Sequence, residues 1–420
     1  MFAKANGNER LKRNIFVANK SLCRQRAFFE HIKCGEWVVY SPQNMRRKTT
    51  CIHKRAGWPE FTWDGESLAG LLATVRHKQG RLLGRMEAMG FDLRAEASLA
   101  VLTSDVVKSS AIEGEHLNSD EVRSSIARML GLRIAALPKV GRDVEGVVDM
   151  MLDGTRNFGK PLTKKRLFDW HASLFQTGRS GIRRITVGGW RKQKAGAMQV
   201  VSGPIGREKV HFEAPEASRL EVEMARFIKW FNAPSATDPV LKAAIAHFWF
   251  VTIHPFEDGN GRIARAIADM ALARADGTKD RFYSMSSQIE SERKNYYLQL
   301  ETAQRGDVNI TDWLHWFLGC LDRAIGGADQ TIGTVLTKSR LWQRINLRPV
   351  NERQRLVINR MLNGFEGFLS SSKYAKLAKC STDTALRDIR ELLRRGIVVQ
   401  NSSGGRSTSY RLGDPDDVRD

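Results

Sequence analysis

The chain has 420 residues, 42% of them hydrophobic and 27% charged, with a formal net charge of +21. That balance suits a soluble globular protein of two to four domains. It excludes a chain built around a membrane: no apolar run approaches the ~20 residues a spanning helix needs.

The start is polar and basic, without a signal-peptide core, so the cytoplasm is the expected location. Five cysteines (Cys23, Cys34, Cys51, Cys320, Cys380) are odd in number and lack CxxC spacing, and they read as reduced thiols. Residues 1–55 carry 13 Lys and Arg against 3 Asp and Glu, and residues 351–412 carry 12 against 5. Basicity therefore sits at the two ends, where a polyanion partner would be sought.

In chain order, residues 1–55 read as a poorly ordered basic extension: the apolar run Trp37 to Tyr40 stands alone, no period persists, and Met45 is an alternative start. Residues 56–140 read as an N-terminal helical domain. Asp64 is placed to cap a helix that Leu68, Leu71, Leu72, Val75, Leu82, Leu83 and Met86 sustain, and a second helix runs from Ala95 to about Gly114. A helical core over 141–325 follows, with amphipathic helices near 144–158, 162–175, 216–232, 238–275, 292–304 and 311–325. It is interrupted by strand-like runs Ile185 to Gly188, Met198 to Val201 and Val210 to Phe212, which predict a β-hairpin turning at Ser202-Gly203-Pro204.

Residues 326–350 read as a linker. From Asn351 to Leu412, three helices (352–363, 371–378, 383–395) precede two strand runs with a Gly-rich tip. This is the winged helix-turn-helix pattern. Arg387, Arg390, Arg394 and Arg395 on the third helix, with Arg406 at the tip, suit phosphate contact, so DNA is a candidate partner. A protein-contact module fits the same pattern. Residues 413–420 form a short acidic tail.

The densest chemistry lies in His254-Pro255-Phe256-Glu257-Asp258-Gly259-Asn260-Gly261-Arg262-Ile263-Ala264-Arg265. Pro255 stops an apolar helix. The Gly-Asn-Gly turn then opens onto a helix N-terminus, whose free N–H groups and dipole favour an anion. Arg262 and Arg265, three apart, share one side of the first turns. Asp258 is placed to hold a hard cation such as Mg2+ between phosphates, and His254 offers a base. A zinc site from His247, His254 and Asp258 fits worse, because a seven-residue His spacing is not a usual zinc pattern.

This stretch resembles the HPFx[D/E]GNGRxxR motif of Fic-domain proteins, with every fixed position met, and the resemblance extends over residues 58–412. It implies a mainly α fold with a small β-flap. It also implies transfer of AMP from ATP to a Tyr, Thr or Ser hydroxyl of a target protein or of the chain itself.

In that reading His254 is the base and Asp258 holds Mg2+. Gly259, Asn260, Gly261 and Arg262 cradle phosphates, and Arg265 pairs the γ-phosphate. Tyr296, Tyr297 and Gln304 resemble the nucleobase pocket, while Val201, Ser202, Gly203 and Pro204 belong to the flap that would hold a target segment as an added strand. Ser109-Ser110-Ala111-Ile112-Glu113-Gly114 matches the inhibitory motif [S/T]xxxE[G/N], which marks Ser109, Glu113 and Gly114. Two other outputs stay open: a DNA-binding regulator with a nucleotide-sensing Fic core, and an enzyme that removes AMP or uses another nucleotide.

Overall fold

A run from Ala243 to Ile253, apolar but for His247 and Thr252, makes a helix hydrophobic nearly all round, and such a helix has to lie inside the protein. The computed structural model describes residues 32–34, 37–40, 51–132, 140–192, 197–202, 209–362, 367–401 and 408–414. It buries that helix (Pro239–Ile253) at the centre, with every residue from Ala243 onward buried. Asp238 caps it by accepting from the Val240 amide at 2.7 Å, with Pro239 in the first turn.

In chain order the elements are β1 (Ile32–Cys34), β2 (Trp37–Tyr40), α1 (Gly65–Glu87), α2 (Phe91–Ile112), α3 (Ser119–Met129), α4 (Arg142–Arg156) and α5 (Lys164–Leu174). Next come β3 (Arg179–Ser180), β4 (Arg183–Arg184), β5 (Gln199–Ser202), β6 (Lys209–Glu213), α6 (Leu220–Asn232), the central α7 and α8 (Asn260–Asp276). The body closes with α9 (Met285–Ser291), α10 (Arg293–Arg305) and α11 (Thr311–Leu347), and the C-terminal unit has α12 (Glu352–Leu362), α13 (Ser371–Ala378), α14 (Thr382–Arg394), β7 (Val398–Gln400) and β8 (Tyr410–Leu412). The fold is mainly α with small antiparallel hairpins, as the periodicities predict. Asp64 caps α1 by accepting from the amides of Glu66 and Ser67.

Several expectations need correction. The segment read as a linker is helical: α11 continues to Leu347 because Ala328, Ile332 and Val335 keep its inner face on the main core while Leu341 and Ile345 pack into a second core. That second core holds Val357, Ile358, Tyr374, Ile389 and Leu392 of the C-terminal unit. Residues 185–188 form no strand. Thr186 turns its hydroxyl to Glu257 of the loop after the central helix instead, and the short hairpin lies just before them, β3 against β4.

The ordered body begins before residue 56: Ile52 joins the main core, and Cys51 packs beneath Phe212. Within the basic extension, β2 pairs with β5 (Trp37 opposite Ser202, Tyr40 opposite Gln199) and β1 with β2, giving the sheet order β1-β2-β5-β6. The predicted hairpin is β5–β6, with its register shifted between Val200 and Val201. Its turn residues Gly203 and Pro204 lie outside the described residues, as does Arg406.

Candidate active site

Pro255 forces the chain out of the helix at His254, which takes the left-handed conformation (φ 52°, ψ 58°). For a side chain with a Cβ this costs on the order of 1 kcal/mol and persists only where neighbours over-determine it. Arg191 supplies two such restraints: its Nε donates to the His254 carbonyl at 2.8 Å and its backbone N–H to the Pro255 carbonyl at 2.9 Å. The Asn260 side chain accepts from the Phe256 amide and donates to the Phe256 carbonyl, both at 2.9 Å. Phe256 is a buried anchor, its ring stacked on His171 at 4.2 Å. His171 Nδ1 accepts from the Gly188 amide, so Nε2 carries the proton and donates to the Asp258 carbonyl at 3.2 Å.

The loop thus aims one functional atom. His254 Nδ1 lies 3.3 Å from the Val251 carbonyl, which can only accept, so Nδ1 is protonated and Nε2 keeps its lone pair. Burial, reinforced by Arg191, lowers its pKa to about 4. His254 is therefore neutral at pH 7, a firmer state than the partial neutrality an ordinary histidine would have.

Below it the turn Gly259 (φ 79°) opens α8, whose first amides have no intrahelical acceptor. A Cβ on Gly261 would sit 1.9 Å from Glu113 Oε1 and 3.2 Å from Arg265 Nη1, so only glycine admits an anion here. The anion present is the Glu113 carboxylate, carried at the end of α2.

Arg265, 2% exposed, donates from Nε to the Ser109 hydroxyl (2.9 Å). Its Nη2 donates to the Ser109 carbonyl and to Glu113 Oε1 (both 2.8 Å). Burial alone would depress its pKa, but the Glu113 carboxylate together with Tyr296 and Tyr297 outweighs that and raises it. Arg265 Nη1 is buried without a hydrogen-bond partner among the described residues, a donor pointed into the cradle. Gly114 (φ 81°) turns the chain away behind Glu113.

Asp258 is buried, and burial raises its pKa. Its Oδ1 accepts from the Gly259 amide and its Oδ2 from the Ser180 hydroxyl of β3. Glu257 faces away, accepting from Arg183 and Thr186.

A cavity runs from this cradle beneath the hairpin, between Val200 and Phe212 above and Tyr296, Tyr297 and Gln304 of α10 below. The Tyr296 hydroxyl meets His247 Nε2 at 2.9 Å, the Tyr297 hydroxyl donates to the Ile112 carbonyl at 3.3 Å, and Gln304 Nε2 reaches the Thr252 hydroxyl. The structure therefore gathers His254, Asp258, Gly259, Asn260, Gly261, the tyrosine pair, Gln304 and Glu113 around one space, with Arg265 and Arg262 outside its lining, held by Glu113 and Glu115. Val201 is buried under the hairpin and Ser202 bonds His211 at 2.6 Å, so neither lines the cavity. His247 is turned to Tyr296, away from the zinc reading, and among the described residues no group of three His, Cys, Asp or Glu could hold a metal.

Sequence reasoning missed Arg191, His171 and Ser180. His171 shares a helix face with Leu167 and Leu174 and so reads as a core histidine. Arg191 and Ser180 sit in Gly-rich stretches without a period.

A domain of unknown function, DUF4172, matches residues 51–132, and the Fic/DOC family matches residues 161–272. A protein adenylyltransferase Fic of Culex quinquefasciatus is 34% identical over 113 residues, covering 26% of this chain and 21% of that one. Protein adenylyltransferase fic-1 of Caenorhabditis briggsae is 38% identical over 88 residues, 20% of this chain and 16% of that one. The chain spans about a fifth of the length of these curated relatives. Among solved structures, a Fic family protein from Desulfovibrio desulfuricans is similar over 82% of this chain and 95% of that one, with TM-score 0.45 and 20% identity.

Proposed function

We propose, from a chain that carries a Fic/DOC-family domain at residues 161–272, that this protein is an adenylyltransferase moving AMP from ATP to a hydroxyl of a target protein or of itself, restrained by its own Glu113. The observation that carries the reading is the Glu113 carboxylate held against Gly261 and Arg265, beside a neutral His254 with a free Nε2. An acidic side chain seated in a glycine and arginine cradle stands where a phosphate would sit. The curated relatives named adenylyltransferases add support from sequence.

In this mechanism the nucleotide's base enters between Tyr296, Tyr297 and Gln304, and its phosphates reach the α8 N-terminus. Arg265 Nη1 and Arg262 offer donors to the β- and γ-phosphates. His254 Nε2 takes the hydroxyl proton as the hydroxyl oxygen bonds to the α-phosphorus. The bond from that phosphorus to the bridging oxygen breaks, and pyrophosphate leaves with its charge met by the cradle.

Asp258 is the carboxylate that would hold Mg2+, which when bound supplies neutralisation of phosphate charge; one carboxylate completed by phosphates and water suits this ion. A target segment adding to the hairpin as a strand would have to compete with β2 for the β5 edge. While Glu113 keeps Arg265, the γ-phosphate loses its clamp and the α-phosphate is misaimed. A misplacement of about 1 Å costs on the order of 10² in rate.

The test is incubation of the purified chain with radiolabelled ATP and Mg2+, alone and in lysate, with mass spectrometry of any labelled hydroxyl. Absence of label from wild type and from Glu113→Gly alike would remove the reading.

A second activity rests on the C-terminal unit. Arg387, Arg390 and Arg394 lie exposed along one side of α14, at spacings of three and four, ahead of a hairpin that a bridge from Leu369 to Tyr410 extends. This supports the winged-helix reading and a DNA-binding output. Arg395 does not share in it: it is buried and donates to the carbonyls of Ile345 and Arg348.

A further inference from the structure

The inhibitory motif ends at Gly114, yet the next residue also reaches the cradle. Arg262 Nη1 donates to Glu115 Oε2 at 2.5 Å. The guanidinium is 3% exposed and lies over the Phe175 ring at 5.1 Å, with its buried Nε lacking a partner among the described residues. Phe175 in turn packs so closely on Gly259 that a Cβ there would fall 2.9 Å from the ring. Arg262 is thereby fixed between an aromatic face and a carboxylate, at the entrance of the anion cradle.

We propose that Glu115 is a second restraining residue: it competes with the nucleotide's phosphates for Arg262 as Glu113 does for Arg265, so one turn after α2 occupies both arginines at once.

The proposal deepens the adenylyltransferase reading and rests on its placing of phosphates at Arg262. The two carboxylates are not equivalent. Glu113 is 8% exposed, and expelling it means repacking the end of α2. The Glu115 side chain is 47% exposed and follows Gly114, whose φ of 81° marks the turn, so it can swing into water when a phosphate arrives. Only the carboxylate end of the pair is half in water, the Arg262 end being 3% exposed, so the pair can open on that side as a phosphate takes over the guanidinium, which suits an outer latch that yields before the inner one. The alternative role for such a contact is to orient Arg262 for phosphate, and that role predicts the opposite sign.

The test is isothermal titration of the full chain with MgATP, and separately with inorganic pyrophosphate, for wild type, Glu115→Gln, Glu115→Asp, Glu113→Gly and the Glu113→Gly/Glu115→Gln pair. Glu115→Gln should tighten both ligands about fivefold, the upper end for an ion pair open to water on one side. Glu115→Asp, which keeps the carboxylate, should stay near wild type, and the pair should bind more tightly than Glu113→Gly alone by a similar factor. Unchanged affinity in Glu115→Gln, or no gain of the pair over Glu113→Gly, would reduce Glu115 to a surface contact. Weaker affinity would make it an orienting group and overturn the proposal. Because the readout is binding, a chain that shows the tightening but labels no protein would refute the transfer reading and leave this one standing.

Discussion

Two sets of arginines, one in the helical body and one in the C-terminal unit, are held in opposite ways. Arg262 and Arg265 are 3% and 2% exposed, each tied to a carboxylate from the end of α2, and each keeps a buried nitrogen without a partner among the described residues. Arg387, Arg390 and Arg394 stand in water along α14, while the acidic residue on the inward face, Asp388, is taken up by Arg353, Asn351 and Tyr374. A buried guanidinium is tolerable only with an anion beside it, so the first set must always hold something, its own glutamate or a phosphate. The exposed set has no such obligation and can wait for a polyanion. On the proposed reading the first arrangement works as a switch and the second as a surface.

The largest effect expected is on the base. His254→Ala removes the free Nε2 and should lower transfer by roughly 10²–10⁴, while MgATP affinity stays near wild type because both arginines are untouched. Full labelling by that variant would break the mechanism. Next comes the switch: Glu113→Gly empties the cradle and should raise labelling by about 10², the cost assigned to a misaimed phosphate. Adding His254→Ala should silence it again. A Glu113→Gly protein that labels no faster than wild type would mean that Glu113 only closes a helix.

Much of the buried site could be read without coordinates because its determinants are local. Pro255, the two glycines and the arginine pair fall within twelve residues, and the backbone rules that govern them act over one turn. The Ser109 and Glu113 contacts were legible only through the motif, since no spacing rule tells that residue 113 meets residue 265. Arg191 was not legible, because its role is to hold two carbonyls of a distant loop. The continuation of α11 past residue 326 was obscured by Gly326, Gly327 and Gly333; packing of Ile332 and Val335 overrides their low helix propensity. Arg395 read as one more phosphate ligand because charge is visible in sequence while burial is not.

The exposed set is tested by salt. If Arg387, Arg390 and Arg394 each meet a DNA phosphate, the slope of log affinity against log salt should be near −3, since each contact contributes about −0.9. Between 50 and 200 mM salt that is a loss on the order of tens-fold. Arg390→Ala should flatten the slope by about one, and Arg395→Ala should leave it alone while destabilising the unit. A salt-independent association, or none at low salt, would make the C-terminal unit a protein-contact module and dissolve the contrast.

The smallest effect is on stability and separates the two regions by pH. Five of the described histidines are buried: burial lowers His53, His171 and His254 to about 4, His247, with Arg265 adding to burial, to about 3, and His211 in the same direction. The unfolded chain binds these protons near pH 6.5 and the folded body does not, so stability is full above pH 6.5 and is lost as pH falls from there toward 4. The loss is at most about 1.4 kcal/mol per pH unit for each histidine.

Residues 351–420 contain no histidine. Their buried carboxylate, Asp388, goes the other way: burial would raise its pKa, but the hydrogen bonds from Arg353, Asn351 and Tyr374 hold it below 3.8. That contribution is present above pH 3.8 and disappears only as pH drops below it. Hydrogen exchange followed from pH 7 to 4, corrected for the intrinsic rate, should therefore show α7 and α8 losing protection while α12 and α14 keep theirs. Parallel loss in both regions would mean that the two cores unfold as one unit, joined rigidly through α11.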